Sequence, residues 1–130
     1  MEKRLKDFQQ AIVKLEEVLK LEKNEVVRDS AIMRFQFVFD LCWKVLKDHL
    51  GKKGIECYSP RDCFKGAFSA NLIDYNNSWL AMIDDRNSIS HIYNEKIAEK
   101  VYSHLLGYLE LFQLLEKKLS NQEKLPLEDK

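Results

Sequence analysis

The sequence predicts an all-α domain from three observations. Apolar residues return every three or four positions through most of the chain, only 4 Gly and 2 Pro interrupt its 130 residues, and cap signals divide it into helices. This length suits one domain with one core. A composition that is 45% hydrophobic and 32% charged suits an ordered helical globule and argues against disorder or a loop-dense sandwich.

Leu5, Phe8, Ile12, Leu15, Val18 and Leu19 set the rhythm of an amphipathic first helix. Asn24 suits an N-cap, and a second helix runs through DSAIMRFQFVFDLCWKVLKDHLGKKG, ending at Gly51 or Gly54 in a left-handed C-cap. In that helix Gln36, Asp40, Lys44 and Lys47 form one narrow polar stripe, while Ile32, Phe35, Val38, Phe39, Leu41, Cys42, Trp43, Val45 and Leu46 cover most of the circumference. Such a helix is central, or is shared between its own core and a partner subunit, and a homodimer is expected.

Ser59, Pro60 and Asp62 combine an N-cap, a first-turn proline and an acidic residue three after the cap, opening a short helix through RDCFKGAFSANL. A cap between Asp74 and Ser78 starts a fourth helix, SWLAMIDDRNSI, with Trp79, Leu80 and Ile83 facing inward. Asn94 caps a long fifth helix whose apolar face carries Ile97, Val101, Leu105, Tyr108, Leu109, Phe112 and Leu115. Four main helices and a short one predict an antiparallel up-down bundle over residues 1–119. Residues 120–130, polar and aperiodic, are expected to fray or to be held by a partner.

Lys plus Arg and Asp plus Glu each number 21, so no overall positive field draws the chain to nucleic acid. An RNA contact would need a local patch, for which Arg61, Lys65 and Arg86 are candidates. The opening MEKRLKDFQQ places charges where a signal peptide needs an apolar core, and no apolar run reaches the roughly 18 residues of a membrane span. A soluble, cytoplasmic protein is expected. Cys42, Cys57 and Cys63 form neither a paired framework nor a zinc spacing and are expected to be reduced and structural. No metal or other cofactor is expected.

The stretch DDRNSISHIY, Asp84 to Tyr93, departs from the helical pattern. On an unbroken helix Arg86 and His91 would point about 140° apart. The small polar residues of NSIS compete for helical hydrogen bonds, and Asn94 starts a new helix soon after, so a turn is expected to bring both side chains to one edge. Arg86 suits bidentate binding of a phosphate and stabilisation of transition-state charge. A histidine titrates near neutrality, so His91 suits proton transfer from an RNA 2′-hydroxyl or to a departing 5′-oxygen, chemistry that needs no metal. The alternative is structural: an ion pair of Arg86 or His91 with Asp84 or Asp85 at a helix junction. His49 and His104 have no companion at metal spacing and carry no functional reading.

RNSISHIY fits the pattern R-x4-H-x-Y, and with RFQFVFDLCWKVLKDHL, SPRDCFKGAF and NSWLAMIDD in the same order the chain, from about Lys3 to Leu119, resembles HEPN domains of the HepT type, also described as nucleotidyltransferase substrate-binding proteins. The resemblance implies a dimeric helical bundle with the Arg86 and His91 pairs in a cleft between subunits. It implies a metal-independent endoribonuclease toxin, silenced when a separately encoded minimal nucleotidyltransferase of the MntA type transfers AMP to Tyr93. It also implies a supporting role for Asn87 beside the phosphate. Members described only as substrate-binding leave a second reading open, a non-catalytic subunit that pairs with such a nucleotidyltransferase. The chain has no nucleotidyltransferase signature of its own.

Overall fold

The computed structural model describes residues 2–123, in which five α-helices and one short 3-10 turn pack as an antiparallel bundle. The helices are α1 (Lys3–Leu19), α2 (Glu25–Lys52), α3 (Pro60–Ser69), α4 (Ser78–Asn87) and α5 (Glu95–Glu123), and among the described residues there is no strand. The all-α bundle expected from the sequence is the observed fold.

Local chemistry sets most boundaries. Asn24 accepts a hydrogen bond from the Val27 N–H at the start of α2, and Ser59 accepts one from Asp62 N–H ahead of Pro60 at the start of α3. Of the two glycines expected to close α2, Gly54 takes the left-handed conformation, with φ at 79°. α3 stops at Ser69, short of the expected Leu72, because Asn71 adopts φ 62° and the Leu72 N–H turns back to the Ala67 carbonyl. α4 begins without a side-chain bond from Asn77; Asn76 Oδ1 accepts from Ser78 N–H instead.

The core is shared by all five helices. Phe8, Phe35, Phe112, Leu15, Leu46, Met82 and Leu105 are among its fully buried side chains. Rings interlock across helices: Phe35 stacks on Tyr108 at 5.4 Å, Phe8 meets Phe112 edge-on at 6.3 Å, and Phe39 reaches Phe64, which touches Trp79 at 5.2 Å. In α4 the expectation needs correction: Trp79 is buried, but Met82 fills the deep position, and Leu80 and Ile83 are only half-buried. α3 approaches α2 closely at Gly66, where an added Cβ would lie 3.0 Å from Leu50 Cδ1.

Polar pins hold the helix ends. Arg28, 3% exposed, donates to Glu95 Oε2 at 2.6 Å and Glu99 Oε2 at 2.9 Å on α5 and to Asp29 Oδ1 at 3.0 Å. These bonds hold its guanidinium even more firmly charged than usual, and Lys23, followed by Arg28, holds the Glu99 carboxyl below its ordinary range. Arg4 Nη1 donates to both carboxylate oxygens of Asp48 of α2, at 2.8 and 2.9 Å. His49, which carried no functional reading, bonds Gln122 at 2.7 Å.

α5 continues to Glu123, past the boundary expected at residue 119, and the rest of the expected tail lies outside the described residues. The expectation that all three cysteines are reduced fails. Cys57 and Cys63 form a disulfide, with Cα atoms 5.2 Å apart, and only Cys42 is free, its thiol pushed up by burial. The spacing alone hid the pair, because it takes the change from extended backbone at Ser59 to helix at Pro60 to fold Cys63 back beside Cys57. The bridge closes a short loop, so the loop-entropy argument gives it about 2 kcal/mol. Reduction, or the double substitution Cys57→Ser with Cys63→Ser, is expected to lower the melting temperature by roughly 5–10 °C. An unchanged Tm with and without reductant would contradict the bridge.

Candidate functional site

The segment from Asp84 to Tyr93 bends where its composition says it should. α4 ends at Asn87, a 3-10 turn covers Ser88–His91, and Asn94 Oδ1 caps α5 by accepting from Lys96 and Ile97 N–H at 3.0 and 3.3 Å. Ser88 contributes to the break, its hydroxyl donating to the Asp84 carbonyl at 3.0 Å in competition with the helical ladder. Ile89 and Ile92 pack against the core while His91 and Tyr93 remain outside it, so the turn is anchored by its apolar residues and presents its polar ones.

Arg86 leaves the last turn of α4 and reaches Asp40 on α2, donating from Nε to Oδ1 at 3.2 Å and from Nη2 to Oδ2 at 3.3 Å. This is a fork-to-carboxylate arrangement in a half-exposed setting, which fixes the guanidinium plane without sealing it from a ligand. The ion pair to Asp84 or Asp85 considered from the sequence is not formed by Arg86. His91 is exposed, and its ring meets that of Tyr93 edge-on with centroids 6.2 Å apart. Tyr93 is 82% exposed, the most open of the exposed large apolar or aromatic side chains among the described residues. Asn87 is exposed at the end of α4, one residue from Arg86.

The neighbouring Asp85 points the other way and is 5% exposed. A buried carboxylate is tolerable only when its lone pairs are used, and here Tyr108 Oη donates to Oδ2 at 2.6 Å and His104 Nδ1 at 2.7 Å, both from α5. Sequence reasoning missed this cluster, having treated His104 as unaccompanied. It also read Asp40 only as part of a polar stripe. The available signal was that Asp40 is the lone acid of that stripe on an otherwise apolar central helix. Among the described residues no group of three or more His, Cys, Asp or Glu side chains has metal-binding geometry.

Two stability measurements separate a presented site from a structural junction. His91→Ala and Tyr93→Phe, both at exposed positions, are expected to change unfolding free energy by no more than about 0.5 kcal/mol. Asp85→Ala, which strands a buried phenol and an imidazole, is expected to cost about 1–3 kcal/mol. An equal loss in His91→Ala would make the turn a structural junction. The second measurement uses pH. Burial first, then the hydrogen bond and charge of Asp85, push the Tyr108 phenol well above its ordinary value of 10.0. The folded state therefore keeps this phenol neutral where the unfolded chain ionises it, so its contribution is full below pH ~10 and is lost as pH rises beyond that. Tyr108→Phe is expected to flatten the alkaline fall in stability above pH ~10; an unaltered slope would contradict the assignment.

Residues 3–121 match the family described as nucleotidyltransferase substrate binding protein like. A Haemophilus influenzae protein named Probable ribonuclease HepT is 32% identical over 93 residues, a match spanning 65% of this chain and 64% of that protein's length. A crystal structure from Thermus thermophilus superposes with a TM-score of 0.81 at 33% identity, covering 86% of this chain and 98% of that one. A Haemophilus influenzae structure, described as revealing the fold of a substrate binding domain of a nucleotidyltransferase, superposes with a TM-score of 0.79 at 26% identity, covering 89% and 98%. The match over nearly the whole chain, with the fold shared by both structures, places this chain in the nucleotidyltransferase substrate-binding protein-like family.

Proposed function

We propose that the chain is a metal-independent endoribonuclease of the HepT type, acting in the cytoplasm as the toxin of a toxin-antitoxin pair, with Arg86 and His91 catalytic. One observation carries the reading: a single turn presents an exposed His91 beside an exposed Tyr93, directly after an Arg86 whose guanidinium is oriented by Asp40. The similarity to a relative named as a ribonuclease supports it. Arg86 binds the phosphodiester and stabilises the charge gathering on its oxygens. His91 takes the 2′-hydroxyl proton as that oxygen attacks phosphorus, the 5′-oxygen leaves with a proton, and a cyclic phosphate remains. Asn87 supports the phosphate from the end of α4.

A homodimer completes the cleft. On α2, Val26, Met33 and Phe37 are exposed and lie with Asp40 within an arc of about 60° by the helical step. A second copy seated on that face buries these side chains and brings a second Arg86 and His91 alongside the first, supplying both proton transfers. Silencing follows from the chemistry of Tyr93: its phenol oxygen attacks the α-phosphorus of ATP on a minimal nucleotidyltransferase of the MntA type, pyrophosphate leaves, and the attached AMP sets an anion two residues from His91, competing with RNA for Arg86.

A second reading, a non-catalytic subunit that presents a substrate to the nucleotidyltransferase, has its own support, because the charge of Arg86 is already shared with Asp40. Cleavage of total RNA in EDTA separates the two. The unmodified protein is expected to cut and His91→Ala to lose at least about 100-fold of that rate, the lower range for a general acid or base. Tyr93→Phe is expected to cut normally and to escape silencing by the partner enzyme. No cleavage by protein whose Tyr93 is free of AMP favours the subunit reading, and full silencing of Tyr93→Phe rules out adenylylation at that residue.

A further inference from the structure

The junction between α3 and α4 holds a cavity of about 170 Å³ that the cleavage site does not use. Its inner wall is aromatic and buried, formed by Phe64 and Trp79 with ring centroids 5.2 Å apart. Its outer wall is aromatic and open: Phe68 and Tyr75 meet edge-on at 5.6 Å and are 45% and 71% exposed. A second cavity of about 350 Å³ shares Tyr75 and Trp79 with the first, so this loop is hollowed on both sides. Two large rings exposed beside a hollow offer stacking surface to a ligand.

The wall composition selects the occupant. Four aromatic rings give planar faces, which suit a flat heterocycle better than an aliphatic chain. Asn76 and Asn77 stand at the rim, their Oδ1 atoms engaged by Ser78 N–H and the Tyr75 hydroxyl, which leaves amide NH2 groups for heterocycle carbonyls. Asp74 suits an exocyclic amine, and Lys65 suits the phosphate that accompanies a base. Position supports the same occupant. Trp79 and Arg86 lie on one helix, about 10 Å apart along its axis, a distance that a short stretch of single strand spans.

We propose that this cavity is a nucleobase subsite, in which an unpaired base of the RNA strand stacks on the open face of Tyr75 beside Phe68, at the mouth of the hollow backed by Trp79, while a nearby phosphodiester lies on Arg86. The assignment deepens the ribonuclease reading and rests on it for the identity of the strand. Single-stranded RNA is the form whose bases are free to enter such a pocket, and stacking on aromatic side chains holds them with little sequence preference.

The test measures binding apart from cleavage, with a fluorescent oligoribonucleotide carrying 2′-O-methyl groups that block attack at phosphorus. Tyr75→Ala, and separately Phe68→Ala, are expected to weaken binding roughly five- to 150-fold, the range for one stacked base. Tyr75→Trp is expected to restore it, and an abasic residue walked along the oligomer is expected to find one position where Tyr75→Ala no longer matters. Wild-type affinity in Tyr75→Ala and Phe68→Ala, alongside cleavage that needs His91, overturns the subsite and leaves the ribonuclease standing. Tyr75-sensitive binding without cleavage of unmethylated RNA keeps the subsite and removes the nuclease. Free nucleoside monophosphates competing as well as the oligomer, or Tyr75→Ala weakening self-association in sedimentation by as much as it weakens binding, would assign the rings to a free nucleotide or to a subunit contact and overturn the proposal.

Discussion

Asp85 is the group on which the arrangement of the site depends. A carboxylate buried near the end of α4 must have donors, and Tyr108 and His104 of α5 supply them. That requirement fixes the roll of α4 against α5. Once the roll is fixed, the next residue, Arg86, faces α2 and finds Asp40. The chain then has to reverse between Asn87 and Asn94, and it does so through a 3-10 turn with Ile89 and Ile92 as inward anchors. Exposure of His91 and Tyr93 is the geometric consequence.

The same logic explains how a neutral chain can hold the phosphate-directed site proposed above. With 21 basic and 21 acidic side chains, no global field concentrates an anion, so the pull must be local and oriented. Asp40 orients the Arg86 guanidinium and also shares its charge. A ligand phosphate competes with that carboxylate and does not meet a bare cation, which favours ligands that bring further contacts of their own. On the other side of the turn, Arg28 ties α2 to Glu95 and Glu99 just beyond Tyr93. The exposed turn is therefore clamped at both ends by charged hydrogen bonds between helices.

The helices were legible in the sequence because their determinants are local. Asn24, Ser59 and Asn94 cap where their side chains can reach a backbone N–H two or three residues on, and the small polar run after Arg86 marks a break that the structure makes. Most of what stayed hidden depends on residues far apart in the chain. The depth of Met82 needs the position of α5, and the partners of Asp40 and Asp85 lie 46 and 19 to 23 residues away; the Cys57–Cys63 bridge is local but needs the change from extended Ser59 to helix at Pro60. Arg86, Asn87, His91 and Tyr93 were singled out from spacing and from family resemblance, and the structure gives their surroundings; their chemical roles rest on the proposal made above.

The most direct test of the central claim is to locate where an RNA strand meets the protein. Backbone amide shifts recorded by NMR while a 2′-O-methyl oligoribonucleotide is added map that surface residue by residue. The account predicts saturable changes from Asp84 to Glu95, with the Arg86 side-chain signals moving as its guanidinium exchanges Asp40 for phosphate. Saturable changes confined to other surfaces, with Asp84 to Glu95 unmoved, would contradict it.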